Sequence, residues 1–237
     1  MVKRQVATKI RKTHRYLGLF LGIQFLLWTI SGLYFSWTDI DEIHGNQYRN
    51  ENISSISFKN LISPTELYTE DSIQSLELRD VGGQPYYWIN KKQLFDAKTG
   101  KFTPEITEAE ALQIAKKHMI STLVVKNIER INEVGNHHEY RGRPLPAYMI
   151  TYDHPEHVKA YIAIQEGSFQ RVRHRSWRWF DFLWMTHTMD YEGRDNFNTI
   201  TLRLFSLLGL LTVVSGFSLW FISSPTLRII KKKKYDE

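Results

Sequence analysis

Two long uncharged apolar runs dominate the hydropathy pattern of the chain. The first covers residues 16–37 and the second covers residues 204–222. Because about 20 apolar residues in an α-helix cross a hydrocarbon layer of ~30 Å, both runs predict transmembrane helices. The alternative is a pair of buried helices in a soluble core, but core helices rarely run this long without a charge on one side.

The charges beside the two runs predict their orientation. Lysines and arginines precede the first run between positions 3 and 15, and Arg228 and the lysines at 231–234 follow the second. Basic flanks stay in the cytoplasm, so we expect both termini inside and the central segment in the periplasm of a bacterial inner membrane. The first run is long and lacks a small-residue cleavage site, which favours an uncleaved anchor over a signal peptide.

The segment between the runs repeats one order of elements. A polar helical start, SPTELYTE, precedes strand patterns in SIQSLELRDV, QPYYWIN and KQLFDAKTGKF. A helical pattern, TEAEALQIAKKHM, then precedes VVKNIERINEV, LPAYMITYD and KAYIAIQEGSFQRV. The strand patterns alternate in part and are bounded by turn residues, and Thr107 with Glu110 predicts a capping box. Because each unit is too small for a good core of its own, we expect the two to pack together.

The amino-acid composition excludes several kinds of active or cofactor site. The chain has no cysteine, which excludes disulfides, thiolate iron–sulfur sites, cysteine nucleophiles and covalently attached c-type haem. Much of the net charge of +6 lies in the two tails beside the apolar runs, which indicates contact with anionic lipid and no nucleic-acid partner. No phosphate-binding glycine loop, nucleotide fingerprint or Ser-His-Asp arrangement is recognisable.

Several motifs, in their order along the chain, resemble the PepSY-associated transmembrane family. They are RKTHRYLGLFLG, LFDAKTGK, the strand pair LPAYMITYD and YIAIQEGSF, and WRWFDFLWMTHT before a run that ends in SGFSLWF. The resemblance covers nearly the whole chain and implies helix-plus-antiparallel-sheet units outside the membrane. It also implies a role in iron uptake, since larger members are similar to haem-bearing reductases of ferric siderophores. This chain departs from those members in having two spans where they have four or more.

The predicted fold is an α+β membrane protein in which two transmembrane helices flank a periplasmic domain of two PepSY-like units. The boundaries are 1–15 for a cytoplasmic basic tail, 16–37 for transmembrane helix 1, 38–104 and 105–175 for the two units, 176–201 for an aromatic interfacial segment, 202–222 for transmembrane helix 2 and 223–237 for a second cytoplasmic basic tail.

His14 is the first candidate for binding haem b. It lies at the cytoplasmic mouth of the first run, where Gly18 and Gly22 continue a glycine stripe along the same helical face. The stripe fits either close helix packing or room for a flat cofactor beside His14. The family resemblance, which matches at His14, supports the cofactor.

His187 and His44 are the candidates on the periplasmic side. His187 shares a predicted helical face with Trp177, Phe180 and Trp184. This face fits either an aromatic helix in the membrane interface or an apolar wall around a haem with His187 as axial ligand. His44 follows the first run closely and is either a second axial ligand or a loop histidine before a glycine.

The thickness of the membrane limits how His14 and His187 could bind haem. His14 and His187 lie on opposite sides of a ~30 Å core and cannot ligate one haem, so each haem needs a ligand from a second copy or a partner membrane protein. We therefore expect a homodimer or a larger membrane complex.

Gln24 lies in the middle of the first run. Because an amide inside the membrane needs a partner, it predicts an interhelical hydrogen bond.

The remaining polar residues leave two choices open. The histidines at 137, 138, 154 and 157 lie in polar loops or turns without secure metal-ligand spacing, so we interpret them as solvated. The arginines at 171, 173, 175 and 178 form a basic strip that fits either lipid headgroups or an anionic ferric siderophore.

The sequence supports two hypotheses for function. In the first, a haem held near His14 and His187 passes electrons to ferric-siderophore iron in the periplasm, as a reductase or as a subunit of one. In the second, the PepSY-like units are a non-enzymatic module that binds a protease or a transporter, and the helices only anchor them. The ordered family resemblance favours the first, and the missing second helix pair favours the second.

Overall fold

The structure is a computed structural model that describes residues 4–53, 57–67 and 72–224. Most of the predicted basic tail at 223–237, the start of the first tail and part of the polar start SPTELYTE lie outside the described residues. The chain divides into two compact units. We call Met1–Trp37 with Phe182–Glu237 the helical unit, and Thr38–Asp181 the sheet unit.

The α-helices in the described ranges differ greatly in length. They are α1 (Arg4–Trp37), α2 (Ile40–His44), α3 (Glu108–His118), α4 (Arg175–Thr188) and α5 (Ile200–Ser223). By length and composition, α1 and α5 can each cross a membrane, and only 17% and 11% of their most apolar windows are buried. Helices of a soluble core would be mostly buried, so the exposed apolar surface of both helices fits a lipid bilayer.

Within the helical unit, α1 and α5 pack side by side in opposite directions. His14, near the start of α1, lies against Ser215, near the end of α5. Further along α1, Phe25 covers Gly209, where a Cβ atom would lie 3.2 Å from the phenyl ring. Gly209 therefore permits this close approach of the two helices.

In its described residues, the sheet unit contains two antiparallel sheets of four strands, each in simple sequence order. The first sheet is β1 (Leu76–Val81), β2 (Gln84–Ile89), β3 (Gln93–Asp96) and β4 (Phe102–Thr103). The second sheet is β5 (Val125–Ile131), β6 (Ala147–Tyr152), β7 (Lys159–Ala163) and β8 (Ser168–Arg173). The strands fall on the predicted stretches, but the last stretch of each unit forms two strands where the sequence pattern predicted one strand and a turn.

One helix serves both sheets. The predicted capping box is confirmed, because the Thr107 hydroxyl accepts a hydrogen bond from the Glu110 amide and the Glu110 carboxylate accepts one from the Thr107 amide at 2.7 Å. The helix that follows, α3, contacts β1, β6, β7 and β8. The helical start predicted at SPTELYTE is, in its described part, only a 3₁₀ turn over Pro64–Glu66, since Leu67 returns to an extended backbone.

The two sheets share one hydrophobic core, as the small size of each unit predicts. It is formed by Val81, Tyr86, Trp88 and Leu94 of the first sheet, Ala111, Ile114 and Ala115 of α3, and Tyr148, Ile150, Tyr152, Ala160, Ile162 and Val172 of the second sheet, among others. The turn between β7 and β8 touches this core at Gly167, which has a φ of +57°. A Cβ atom at Gly167 would lie 2.7 Å from Val81 Cγ2.

Candidate functional site

Side chains of α1 hold the C-terminal end of α4. Gln24 Nε2 donates a hydrogen bond to the Thr186 carbonyl at 3.1 Å, and Trp28 Nε1 donates to the His187 carbonyl at 2.8 Å. The last carbonyls of a helix have no partner inside the helix, so these two donors act as a cap supplied by a neighbouring helix. The interhelical hydrogen bond predicted for Gln24 is confirmed, and its acceptor is the backbone of α4.

This cap places the end of α4 beside the middle of the first apolar run. Gln24 precedes the end of α1 at Trp37 by about 20 Å, at 1.5 Å per residue. The end of α4 therefore packs against the apolar stretch of α1. Polar backbone at such a position is tolerated because protein donors satisfy it.

The His187 imidazole lies in an aromatic surrounding next to Ser31. Its Nδ1 atom is 2.7 Å from Ser31 Oγ. The Phe35 ring stands edge-on at 5.6 Å between centroids, and the Trp28 ring lies at 6.4 Å. Trp184 packs edge-on against Phe35 at 5.7 Å and extends this aromatic wall.

The other two members of the predicted aromatic face, Trp177 and Phe180, belong to the sheet unit. Of the three predicted neighbours of His187, the helical unit therefore contains Trp184 alone. The contacts from Trp28 and Phe35 were not predicted.

His14 is held in a similar way by α5. Its Nδ1 atom is 2.8 Å from Ser215 Oγ. The next residue, Gly216, faces the imidazole closely, because a Cβ atom there would lie 3.2 Å from His14 Cε1. One face of α5 carries an open apolar depression of about 470 Å³, which is lined by Val213, Gly216, Phe217 and Trp220.

The glycine stripe of α1 is open. A Cβ atom at Gly18, Gly22 or Gly32 would meet nothing within 4 Å. In the part of the chain that the structure describes, the stripe therefore does not serve close packing. Room for another molecule beside α1 remains.

His44 belongs to the sheet unit, whereas His187 belongs to the helical unit. His44 is the last residue of α2 and precedes Gly45, which ends the helix with a φ of +82°. Its side chain is exposed, and partial burial together with the positive charge of Arg173 lowers its pKa. Its role as a second axial ligand stays a prediction.

The basic strip is largely engaged inside the sheet unit. Arg178 makes two hydrogen bonds to the Glu139 carboxylate, the shorter at 2.6 Å, and Arg175 pairs with Glu156 at 2.9 Å. Arg173 is 5% exposed and lies over the Trp177 ring at 4.0 Å. Burial, together with the positive charge of Arg171, lowers the pKa of Arg173 to about 9. Because these arginines are paired or buried within the sheet unit, less of their positive charge is available to bind lipid headgroups or a siderophore.

The loop histidines take part in turns. The Nδ1 atom of His138 accepts a hydrogen bond from the Tyr140 amide at 3.1 Å, and that of His154 accepts one from the Glu156 amide at 3.2 Å. Both contacts are short-range side-chain-to-backbone bonds that stabilise turns. These two histidines therefore stabilise the turns in which they lie.

The chain matches no protein-family model, and searches of curated proteins and of solved structures find no similar protein. The resemblance to the PepSY-associated transmembrane family therefore stays a prediction.

His14 and His187 fit the donor chemistry of haem iron. In each, Nδ1 contacts a serine hydroxyl, and no hydrogen bond to Nε2 is found within residues 4–53, 57–67 and 72–224. An axial histidine ligates through one nitrogen while the other is held by a hydrogen bond. A macrocycle at His187 would meet the rings of Phe35 and Trp28, and one at His14 would meet the apolar face of α5 that includes Gly216. The serine partners were missed in the sequence, although the repeated Ser-Gly pair at 31–32 and 215–216 was the available signal.

Proposed function

We propose that this protein is a bacterial inner-membrane PepSY protein that supports iron uptake through haem-mediated electron transfer to ferric-siderophore iron. Its termini lie in the cytoplasm and its sheet unit lies in the periplasm. The single observation that carries the proposal is the matched environment of His14 and His187. In each, Nδ1 lies within hydrogen-bond distance of a serine hydroxyl, and apolar groups pack near the ring, Gly216 at His14 and Phe35 with Trp28 at His187.

In this proposal the histidines bind and orient the cofactor. Nε2 of His14 and Nε2 of His187 would each ligate the iron of a b-type haem, which supplies one-electron transfer when it is bound. Phe35, Trp28 and Trp184 shield the side of His187 from water, and a haem at His14 would contact the apolar face of α5 that includes Gly216. The electrons come from another molecule, either in the cytoplasm or in the quinone pool.

A second copy of the chain completes the proposed sites. Ser31, which holds His187, lies about 25 Å along α1 from His14, so the two histidines cannot share one iron. A six-coordinate haem therefore needs a further ligand from the same side of the membrane. The open glycine stripe at Gly18 and Gly22 offers a place where a helix of a second copy can approach closely.

The first test is a visible spectrum of the detergent-purified protein from haem-replete cells, before and after reduction with dithionite. We expect a Soret peak that shifts on reduction and the sharp bands of six-coordinate b-haem. His14→Ala and His187→Ala should each lose part of the haem, and the double variant should lose all of it. His137→Ala, in an exposed loop, is the matched control and should keep the full content. A colourless protein from such cells would overturn the proposal.

The second candidate is a non-enzymatic binding module that restrains a protease or supports a transporter. The observation that favours it is that Thr38–Asp181 forms a compact unit with its own core. If a secreted segment of residues 38–181 restores iron-limited growth to a deletion strain, the helices are only an anchor. If only the full chain restores growth and the histidine variants do not, the redox function is supported.

A further inference from the structure

The proton positions at Ser31 and Ser215 can be deduced from their neighbours. Ser31 Oγ lies 2.7 Å from the Leu27 carbonyl, and Ser215 Oγ lies 2.7 Å from the Thr212 carbonyl. A carbonyl oxygen only accepts hydrogen bonds, and a hydroxyl has one proton to donate. Each serine therefore donates its proton to the backbone of its own helix.

The histidines must then be the donors in the serine contacts. Because the proton of Ser31 is used on the Leu27 carbonyl, Ser31 Oγ accepts from Nδ1–H of His187 at 2.7 Å. By the same reasoning, Ser215 Oγ accepts from Nδ1–H of His14 at 2.8 Å. In the neutral form of the imidazole, which is the form that binds a metal, Nδ1 carries the one proton and Nε2 holds a lone pair.

We infer that Ser31 and Ser215 are positioning residues that hold His187 and His14 as Nδ1–H tautomers, with the Nε2 lone pair available to a metal. The inference rests on the proposed haem function for its ligand, and it deepens that function by naming the groups that set the ligation state. The two serines come from the Ser-Gly pairs that the apolar runs share. The two Ser-Gly pairs thus each position one histidine, at opposite ends of the packed helices.

Loss of either hydroxyl has a specific consequence. In Ser31→Ala the Nδ1–H of His187 loses its acceptor, so the ring no longer favours one tautomer or one orientation. Loss of a hydrogen-bond partner of a metal-ligating histidine typically lowers metal affinity about 10–100-fold. An Nδ1–H donor that loses its acceptor also makes the imidazole a weaker base, so the reduction potential of a haem that remains bound should rise.

The first arm of the test uses the full chain without haem. Histidine ¹⁵N chemical shifts in detergent micelles report which nitrogen carries the proton, and His14→Gln and His187→Gln assign the two signals. We expect Nδ1–H at both sites in the wild type. Ser31→Ala should change only the signal of His187, and Ser215→Ala only that of His14. Ser215→Thr, which keeps the hydroxyl, should restore the signal of His14.

Ser218→Ala is the matched control for Ser215→Ala. Ser218 also donates to its own helix, at 2.8 Å from the Val214 carbonyl, and it makes no described contact with a histidine. Its substitution should leave both histidine signals unchanged. Nε2–H in the wild type, or signals that ignore both serine variants, would overturn the inference even if haem binds.

The second arm measures haem content and reduction potential in the same variants. We expect at least a 10-fold loss of haem affinity at the affected site, a higher potential for the haem that remains, and recovery in Ser215→Thr. A colourless protein that keeps serine-dependent Nδ1–H signals would overturn the haem function and leave the positioning role intact. The two failures are therefore distinguishable.

Discussion

Gly167→Ala tests the contact between the two sheets. Gly167 has a φ of +57°, and a Cβ atom there would lie 2.7 Å from Val81 Cγ2 and 3.3 Å from Ile106 Cγ2. The substitution therefore adds two costs. The left-handed backbone costs about 1 kcal/mol for a residue with a side chain. Overpacking of the core against Val81 costs a further ~1–3 kcal/mol.

Gly142→Ala separates the two costs. Gly142 has a φ of +67°, close to that of Gly167, but a Cβ atom there would meet nothing within 4 Å. It should therefore show the backbone cost alone. For a unit of this size, 1 kcal/mol corresponds to about 3 °C in Tm, so we expect a fall of about 3 °C for Gly142→Ala and about 6–12 °C for Gly167→Ala.

The assay is thermal unfolding of the full chain in detergent, followed by intrinsic tryptophan fluorescence. A double-mutant cycle with Val81→Ala adds a direct check, because Val81→Ala removes both Cγ atoms that the new methyl group would meet. In that background only the looser contact with Ile106 Cγ2 remains, so the cost of Gly167→Ala should fall towards that of Gly142→Ala. Equal losses for Gly167→Ala and Gly142→Ala in the wild-type background would refute the shared core at this turn.

Three further outcomes are expected. The chain has no native cysteine, so single cysteines can be labelled selectively. In lipid vesicles, Thr186→Cys should resist a membrane-impermeant maleimide, whereas Glu192→Cys in the exposed loop should react. Equal labelling would contradict the packing of the α4 end against the apolar part of α1. Trp28→Phe removes the donor to the His187 carbonyl, at a cost of about 0.6–1.7 kcal/mol, and should lower haem content at His187, whereas an unchanged content would show that the cap is dispensable. His174 is 1% exposed, donates through Nε2 to the Glu42 carbonyl at 3.0 Å and has no partner for Nδ1 in the described chain. Because burial lowers the pKa of His174 below 6.5, the unfolded state binds the proton first, so stability is complete above about pH 6.5 and falls as the pH drops below it. Tm measured from pH 8 to pH 5 should decline less in His174→Gln, and parallel profiles would exclude His174 as the cause.

Local patterns predicted most of the fold. The two apolar runs, the capping box at Thr107 and the strand stretches are each encoded within a few neighbouring residues. The core shared by the two sheets followed from the small size of each unit. The use of α3 by both sheets could not be predicted, because it depends on how the two sheets are placed around that helix.

The partners of the candidate site were harder to predict. The sequence indicated His14 and His187 and showed the repeated Ser-Gly pair, but it did not show which serine meets which histidine. That pairing depends on the offset between packed helices, which periodicity within one helix does not reveal. The arginines at 173, 175 and 178 form a strip in the sequence, and their partners at Glu139 and Glu156 come from loops distant along the chain.

The single helix that covers both sheets also limits how this domain can change over evolution. A repeat whose units each keep a complete core can lose, gain or exchange one unit by recombination. Here Ala111, Ile114 and Ala115 of α3 pack in the same core as residues of both sheets. A foreign first unit would leave half of that core without its counterpart, so the two halves are inherited together and their core substitutions have to compensate one another.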